Sequence, residues 1–512
     1  MTSERDRSRL LRGGLAGLLA GAVAVGVGQF VAGLIAQVSS PVIAVGSAAV
    51  GLAPASVKDF AISAFGSDDK LALLTGIYVL LGLYAIAVGL AGARRLVYGL
   101  AGLAAFAVIG LIAAGTRPGS TPAWLVPTFA AAAAAAAVLV ILLRSIPARG
   151  APDTDATDTQ RRLFLRTGVV AAGVAVVGGL AGRVLAERGA VTAARAKLRF
   201  PRPARLAPPL PAGTSLDVAG LSPFVTPNPS FYLVDIELVL PQVDPTGWQL
   251  RIHGMVEREV VISFADLLRR PLTEAWVTLC CVSNPVAGPY IGNAKWLGAS
   301  LASLIREARP LAGADQILST SVDGYTTGTP VQTVLDGRNA LLAVGMNGQA
   351  LPVSHGFPAR MVVPGLYGYV SATKWVTDIK LTKFSAESAY WAQRGWSQQA
   401  VIKTESRIDV PNGSKMLTAG RTPVAGVAWA QHRGIDAVQV RVDRGPWHEA
   451  RLAAVPGIDT WRQWVWEWDA IPGHHLIEAR ATDGTGHAQT AVAEPPEPNG
   501  ASGYPQVAVM VH

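Results

Sequence analysis

Long apolar runs fill the first part of the chain and give way to mixed apolar and polar positions after about residue 190. Four of these runs, rich in Ala, Gly, Leu and Val, reach the roughly 20 residues that cross a bilayer as a helix. They cover approximately residues 13–36, 71–92, 96–116 and 123–143. A shorter run at 40–53 ends at Pro54, before Lys58 and Asp59, and is typical of a re-entrant or interfacial segment.

A fifth, weaker apolar run at about 165–182 follows the sequence RRLFLR at residues 161–166. Paired arginines before a mild apolar stretch resemble a twin-arginine export signal, although this one lies inside the chain. An ordinary membrane anchor with basic residues on its inner side explains the pattern equally well. Under either interpretation, residues 151–187 contain a cytoplasmic loop and a fifth span.

Basic residues around the apolar runs predict the topology, because they accumulate on the inner side of a membrane. The arginines expected on that side are Arg5, Arg7, Arg9, Arg12, Arg94, Arg95, Arg144, Arg149, Arg161 and Arg162. Segment 145–160 is then a polar, flexible cytoplasmic loop. Five crossings place everything after about residue 187 outside the cytoplasm, whereas Arg183, Arg188 and Arg195 weigh against this topology.

From residue 216 the pattern changes to short strand-like runs with a few helical ones. FYLVDIEL at 231–238, WQLRIHG at 248–254 and WVTLCC at 276–281 are strand-like, and FADLLRR at 264–270 is helical. The mixture predicts an α+β domain over 216–395. Alternation in VQVRV and WVWEW predicts an all-β sandwich over 396–512.

The chain is therefore predicted to be multi-domain. A transmembrane helical bundle covers residues 1–150, and the loop and fifth span follow over 151–187. A Pro-rich linker at 188–215, whose segment 200–213 is a semi-rigid spacer, leads to the two later domains.

Composition and charge narrow the classes of function. The net charge of +9 comes with arginines that flank apolar runs rather than with a basic stripe among aromatic residues, which argues against nucleic-acid binding. The two cysteines, Cys280 and Cys281, are adjacent, so they form no disulfide framework. The first histidine is His253, so the predicted spans offer no histidine to a haem iron.

Three clusters carry candidate chemistry. Cys281 ends a strand-like run, and its thiolate suits a transition metal, although a single cysteine is as often a buried structural residue. His355 and Arg360 lie five residues apart around a turn, a pair that can hold a phosphate. Residues 365–374 offer backbone N–H groups and a lysine, which also suit an anion.

The order of these clusters resembles the sulfite oxidase family of molybdenum enzymes. The cofactor domain of that family has Cys, a small residue and Asn, then Ala-(Arg/Lys)-Trp-x-Gly, and later a Met-Asn-Gly run that ends in Val-Val-Pro-Gly. This chain has CVSN at 281–284, AKWLG at 294–298 and MNGQALPVSHGFPARMVVPG at 346–365. Its last part is similar to the immunoglobulin-like, often dimerising domain of the family, so the resemblance covers about 216–512.

The resemblance implies a molybdenum–molybdopterin cofactor whose metal is bound by Cys281, with Cys281 and Tyr325 as catalytic residues. Tyr325 would donate a hydrogen bond to the bound oxo group, and a packed strand tyrosine is the alternative. The cofactor-binding residues that it implies are Asn228, Phe231, Tyr232, Cys281, Ser283, Asn284, Asp323, His355, Arg360, Ser371, Thr373 and Lys374.

Departures from the family pattern bear on the substrate. Family members that oxidise sulfite have arginines after the cysteine element and where this chain has Thr226 and Pro227, whereas residues 285–288 read PVAG. An uncharged pocket holds a dianion poorly. We therefore expect oxygen-atom transfer on a neutral sulfur compound such as a sulfoxide, with sulfite dehydrogenation as the alternative. Asn228 is also similar to the sulfoxide-reductase branch.

The expected partners follow from the same resemblance. Electrons would pass to or from a separate redox carrier, such as a quinone, a cytochrome or another membrane partner, because the cytochrome domain of animal sulfite oxidases is not found. A homodimer is also expected. The protein would be a multi-pass protein of the cell membrane with its catalytic domain outside the cytoplasm. A non-catalytic envelope protein that displays a β-sandwich is the rival from another class, and the thiol and phosphate-binding clusters argue against it.

Overall fold

The computed structural model describes residues 2–52, 69–117, 120–146, 155–187, 190–413 and 416–512. The chain divides into two compact units. The helical unit comprises Met1–Thr192 and Ile236–Pro241, and the sheet unit comprises Ala193–Asp235 and Gln242–His512.

Long helices build the helical unit. They are α1 (Thr2–Ile35), α2 (Pro41–Leu52), α3 (Asp69–Arg94), α4 (Leu96–Gly115), α5 (Val126–Arg144) and α6 (Asp155–Glu187). Five stretches are long and apolar enough to cross a membrane: Ser8–Ile35, Ala72–Arg94, Leu96–Gly115, Pro122–Arg144 and Thr159–Leu185. The five predicted apolar helices are thus confirmed, and they are compatible with membrane spans.

Two details differ from the sequence interpretation of this part. The short run at 40–53 forms α2, while Pro54, Lys58 and Asp59 lie outside the described residues. Residues 155–160, predicted as part of a flexible loop, begin α6, and the RRLFLR run lies within that helix. Residues 147–154, which include Arg149, lie outside the described part, as does Arg188.

Small residues let α1 pack closely against its neighbours α3, α5 and α6. A Cβ atom on Gly17 of α1 would lie 2.0 Å from the carbonyl oxygen of Ala85 in α3. A Cβ on Gly89 would lie 2.1 Å from the carbonyl oxygen of Gly13. Without a hydrophobic drive between helices in lipid, such close backbone approach is what holds apolar helices together.

The segment Ile236–Pro241 belongs to the helical unit. Glu237 is buried and accepts a hydrogen bond from the Arg117 guanidinium at 3.1 Å. The predicted strand FYLVDIEL does not form, and residues 231–238 are irregular. The reason is that its side chains are used in separate contacts, among them the ion pair of Glu237, rather than along one sheet edge.

In the sheet unit, the region expected to be a linker begins with helix α7 (Ala190–Lys197) and then packs against the sheet. The backbone N–H groups of Ala204 and Arg205 donate to the carbonyl oxygen of Leu272 at 2.8 and 3.3 Å. The Trp276 indole donates to the carbonyl oxygen of Pro208 at 2.9 Å. Residues 204–208 therefore extend the sheet edge instead of acting as a spacer, because their backbone finds partners there.

The predicted α+β domain is confirmed and contains two sheets. One sheet has the order β2-β1-β10-β5-β6, in which β1 and β10 are parallel, and the other has β3-β4-β7-β8 with β9 on β7. The strands are β1 (Gln249–Gly254), β2 (Val260–Ser263), β3 (Leu272–Cys280), β4 (Ile291–Ser300), β5 (Gln316–Ser321), β6 (Thr326–Pro330), β7 (Leu341–Met346), β8 (Gln349–Ala350), β9 (Arg360–Val362) and β10 (Val376–Thr382).

Three short helices complete this domain: α8 (Phe264–Arg269), α9 (Leu301–Ala308) and α10 (Val331–Leu335). The predicted helix FADLLRR begins at a capping box, in which the Ser263 hydroxyl accepts from the Asp266 N–H and Asp266 accepts from the Ser263 N–H. One apolar core, which includes Trp248, Leu304 and Val376, fills the space between the elements.

The C-terminal region is rich in β-sheet, with two four-stranded sheets of order β11-β12-β16-β15 and β14-β13-β17-β18. Val424 and Trp464 of the first sheet share one apolar core with Val440 and Ile477 of the second. The strands are β11 (Glu405–Val410), β12 (Gly420–Trp429), β13 (Ile435–Val442), β14 (His448–Glu449), β15 (Arg451–Leu452), β16 (Arg462–Ala470), β17 (Gly473–Asp483) and β18 (Gln506–Val511).

The close approach of α1 and α3 predicts that replacement of glycine by alanine has opposite effects on stability at Gly17 and at Gly76. Gly17→Ala should destabilise the helical unit by about 1–3 kcal/mol, because the new methyl group must push the α3 backbone away. Gly76→Ala, where nothing lies within 4 Å, should stabilise it by about 0.5–1 kcal/mol through helix propensity. Thermal unfolding of the purified full chain in detergent measures the change in melting temperature of each variant. Equal changes for the two variants would contradict the packing described.

Candidate functional site

Strand β3 ends at two cysteines with different surroundings. Cys280 is 1 % exposed, lies in the apolar core and donates to the Cys281 carbonyl oxygen at 3.5 Å. Cys281 is 8 % exposed, and its N–H donates to the carbonyl oxygen of Tyr290 at 2.9 Å. Alternation along an extended chain sends the two thiols to opposite sides. Both are free, as the sequence predicted.

The surroundings of Cys281 partly offset the cost of a buried thiolate. Burial raises the pKa of the thiol, while hydrogen bonds from the Ser283 N–H and hydroxyl and the charge of Lys374 lower it. A metal cation would add to these effects, because only the deprotonated sulfur binds a metal.

Asn284 lies in the turn after Cys281 and leaves one donor to spare. Its Oδ1 accepts from the N–H of Tyr290 at 2.8 Å. Its Nδ2 is buried, and no partner for it is found among the described residues. A buried donor without an acceptor is costly, so this atom suits a bound group that supplies one.

His355 and Arg360 form a buried basic pair beside this turn. His355 is the last residue of the 3₁₀ turn Val353–His355, and Arg360 begins β9. The Arg360 guanidinium donates to the carbonyl oxygens of His355 and Ala372 at 3.2 and 3.3 Å, and it lies 5.1 Å from the Trp296 ring centroid. No carboxylate of the described residues pairs with it.

Burial changes the protonation behaviour of this pair. Loss of solvation lowers the pKa of Arg360 to about 10. Burial, the Arg360 charge and the Lys374 charge lower the pKa of His355 to about 4. The site therefore contains a cation without a matching anion, which suits a phosphate bound by the planar guanidinium.

Gly356 lets the chain bring this pair together. Its φ of +105° lies in the left-handed region, where side chains with a Cβ are strained. A Cβ here would also lie 3.0 Å from the Cβ of Arg360 and 3.1 Å from the Cα of Lys374. Gly356 thus allows both the turn after His355 and the close approach of this turn to Arg360 and Lys374.

Segment 228–232 closes the same site. The backbone oxygen of Asn228 lies 3.3 Å from His355 Nε2, and its Oδ1 accepts from Asn347 Nδ2 at 2.8 Å. The Phe231 ring stacks on Tyr232 at 5.3 Å and meets His355 edge-on at 5.4 Å. Burial and the two cysteines raise the pKa of Tyr232 well above its usual value, so its hydroxyl stays protonated.

Lys374, Ser371 and Thr373 all have partners within the protein. Lys374 forms a buried ion pair with Asp235 at 2.8 Å and also donates to the carbonyl oxygen of Ser354 at 3.1 Å. The Ser371 hydroxyl donates to the carbonyl oxygens of Leu366 and Tyr367. The Thr373 hydroxyl lies 2.7 and 2.6 Å from those of Ser319 and Thr327.

Asp323 and Tyr325 lie in the turn between β5 and β6. The Asp323 carboxylate accepts from the N–H of Tyr325 at 2.9 Å, and burial raises the pKa of Asp323. Burial, with Cys281 next in effect, raises the pKa of Tyr325 well above its usual value. The Tyr325 hydroxyl is therefore a hydrogen-bond donor in the same neighbourhood as the Cys281 thiol.

Sequence reasoning missed two charged residues of this region. Asp235, the partner of Lys374, has no local signal, because 139 positions separate the pair. Arg394 stacks over the Tyr390 ring at 3.6 Å, and that ring lies 5.5 Å from Tyr325. Arg394 could have been recognised as a candidate from the run YWAQR at 390–394, in which an arginine follows two aromatic residues.

Comparisons with known proteins find matches among molybdopterin-binding oxidoreductases. The family model described as "Oxidoreductase molybdopterin binding domain" matches residues 237–391. The uncharacterized oxidoreductase YuiH of Bacillus subtilis is 31 % identical over 153 residues, which are 30 % of this chain and 74 % of that protein. Sulfite oxidase of Gallus gallus is 30 % identical over 290 residues, 48 % of this chain and 62 % of that protein.

Among solved structures, the sulfane dehydrogenase SoxCD of Paracoccus pantotrophus is similar in fold, with a TM-score of 0.51 at 23 % identity. The match covers 57 % of this chain and 84 % of that one. The class of protein that these matches define is the molybdopterin-dependent oxidoreductases. This chain belongs to the sulfite oxidase family of such enzymes, and its cofactor is the molybdenum–molybdopterin group. It covers 52 % and 62 % of the length of the sulfite oxidases from mouse and chicken, respectively.

Glu405 is a further buried acid that sequence reasoning did not single out. It starts β11, is 3 % exposed, and its Oε1 has no partner among the described residues. Burial raises its pKa to about 8, although Lys403 opposes the shift. Its charge would also act on Cys280.

This carboxyl predicts a pH-dependent stability. Because its pKa is higher in the folded state than the usual 4.5, the folded state retains the proton as pH rises, and stability is lost between about pH 4.5 and 8. Glu405→Gln should remove that loss. Its free energy of unfolding should therefore exceed that of the wild type by on the order of a few kcal/mol at pH 9 and by near zero at pH 4. Melting temperatures of both proteins across this range test it, and parallel pH profiles would be contrary evidence.

Proposed function

We propose that this protein is a membrane-anchored oxidoreductase that binds the molybdenum of its cofactor through Cys281 and transfers an oxygen atom to or from a small sulfur compound. One observation carries the proposal. The buried Cys281 thiol, with donors from Ser283, and the buried Arg360 of the basic pair both act on Tyr232, and no carboxylate of the described residues pairs with Arg360. A soft sulfur ligand and a binding site for a phosphate are what a metal–pterin group with a phosphate tail requires.

Different residues of the chain would bind different parts of the cofactor. Arg360 and His355 would hold the phosphate, with Lys374, Ser371 and Thr373 at the adjoining turn. The buried Asn284 amide, Ser283, Asn228, Phe231, Tyr232 and Asp323 would complete the cofactor contacts. The protonated hydroxyl of Tyr325 would donate to the reacting oxygen.

The bound cofactor would supply oxygen-atom transfer coupled to a two-electron change. The protein would contribute orientation and a site with little water. The rings of Phe231, Tyr232 and Trp296 pack beside His355 and Arg360 and leave little room for water. Hydrogen bonds from this pair are stronger where water is excluded.

For the substrate, an oxyanion of sulfur such as sulfite is the first candidate. Arg394, stacked on Tyr390 beside Tyr325, supplies a positive charge that the loop at 285–288 lacks. The names of the relatives, sulfite oxidases among them, agree with this chemistry. A neutral sulfoxide is the second candidate, because that loop itself is uncharged.

The remaining parts of the proposal concern location and partners. The inner-side arginines support an extracytoplasmic sheet unit. Arg117 follows the third span, so this topology places it outside, on the side where its partner Glu237 would also lie. Electrons would pass to a separate carrier, such as a quinone or a cytochrome. The two sheets that share a core support an immunoglobulin-like domain, with a homodimer as the expected assembly.

The two cysteines give a matched test of the metal ligand. Cys281→Ala should lose nearly all bound molybdenum and turnover, because it removes the only proposed protein ligand. Cys280→Ala should keep most of both, since that thiol faces the apolar core. Molybdenum per chain in cofactor-replete preparations measures the difference, and equal losses would rule out the assignment.

Arg394 separates the two substrate candidates. If sulfite is the substrate, Arg394→Gln should raise its KM by about tenfold or more, the value of one charge-assisted hydrogen bond. Sulfoxide reduction with an artificial electron donor should change little. Arg421→Gln, which removes an exposed arginine paired with Glu467, is the control. An unchanged KM for sulfite would favour the sulfoxide.

A further inference from the structure

One segment that builds the basic side of the site has an additional attachment elsewhere in the fold. Residues 350–355 provide the turn that ends at His355. This segment is not held by a long strand ladder, so its position depends on individual contacts.

This attachment comes from α7. The guanidinium of Arg195 donates from Nε to the carbonyl oxygen of Leu351 at 2.7 Å and from Nη2 to that of Ala350 at 3.0 Å. Pro352, which has no N–H, and the turn with His355 follow immediately. A planar guanidinium bound to two successive carbonyls fixes the direction in which the chain enters that turn.

We propose that Arg195 is a positioning residue for the anion-binding side of the site, so that the helix before the sheets contributes to cofactor retention. Arg195 acts through residues 350–355. The identity of the bound anion rests on the proposed function, whereas the positioning itself does not.

Hydrogen exchange of the full chain in detergent measures positioning independently of activity. Arg195→Met keeps the aliphatic stem and removes the donors, and it should speed exchange in residues 348–360 by about tenfold through easier local opening. Arg195→Lys should restore part of the protection. Arg421→Gln, which alters an exposed pair on the C-terminal sheet, should leave these residues unchanged.

The purified Arg195→Met protein should also retain several-fold less molybdenum and pterin after gel filtration. Wild-type exchange rates in residues 348–360 of Arg195→Met would overturn the proposal. Absence of molybdenum from the wild type would instead refute the proposed function and leave the exchange result valid.

Discussion

A buried Arg360 guanidinium with no carboxylate partner among the described residues is the constraint on which this site depends. Arg360 is 5 % exposed, and its described acceptors are backbone carbonyl oxygens. Burying an unpaired charge costs several kcal/mol, so a protein rarely keeps one unless an anion joins it. His355, whose pKa burial and the neighbouring cations lower to about 4, can offer a neutral ring N–H to the same anion.

The thiol has the complementary problem. Cys281 is buried, which disfavours its thiolate, while the Ser283 donors and the Lys374 charge favour it. A bound metal cation would offset this cost, as a bound phosphate would offset the charge of Arg360. One cofactor with a metal at one end and a phosphate at the other would satisfy both, and this shared requirement agrees with the family assignment.

The substrate question shows how tertiary structure can alter a conclusion drawn from a loop. The uncharged sequence at 285–288 favours a neutral substrate. The fold then adds Arg394 from a segment more than one hundred residues later, stacked on Tyr390 next to Tyr325. A pocket assembled from distant segments takes its charge from all of them, so the residues around the cysteine describe only part of it.

Local pattern alone was sufficient for several features. Apolar runs longer than a bilayer predicted the five long helices, because hydropathy over 20 residues needs no tertiary information. Alternation predicted β13 and β16, strand-like runs predicted β1 and β3, and the Ser263–Asp266 spacing accompanies the helix start that was expected there. The linear motif at 346–365 pointed to His355 and Arg360, since their chemistry depends on a turn that five residues can build.

Other features were decided only by packing. The apolar run at 231–238 has strand composition, yet the fold uses its side chains singly, with Glu237 paired to Arg117. The Pro-rich segment extends a sheet edge because Leu272 offers its carbonyl oxygen. Asp235 and Lys374 are 139 positions apart, and only the tertiary structure brings such charges within 2.8 Å. Sequence patterns report local geometry, whereas pairing between distant residues depends on how the whole chain buries its apolar surface.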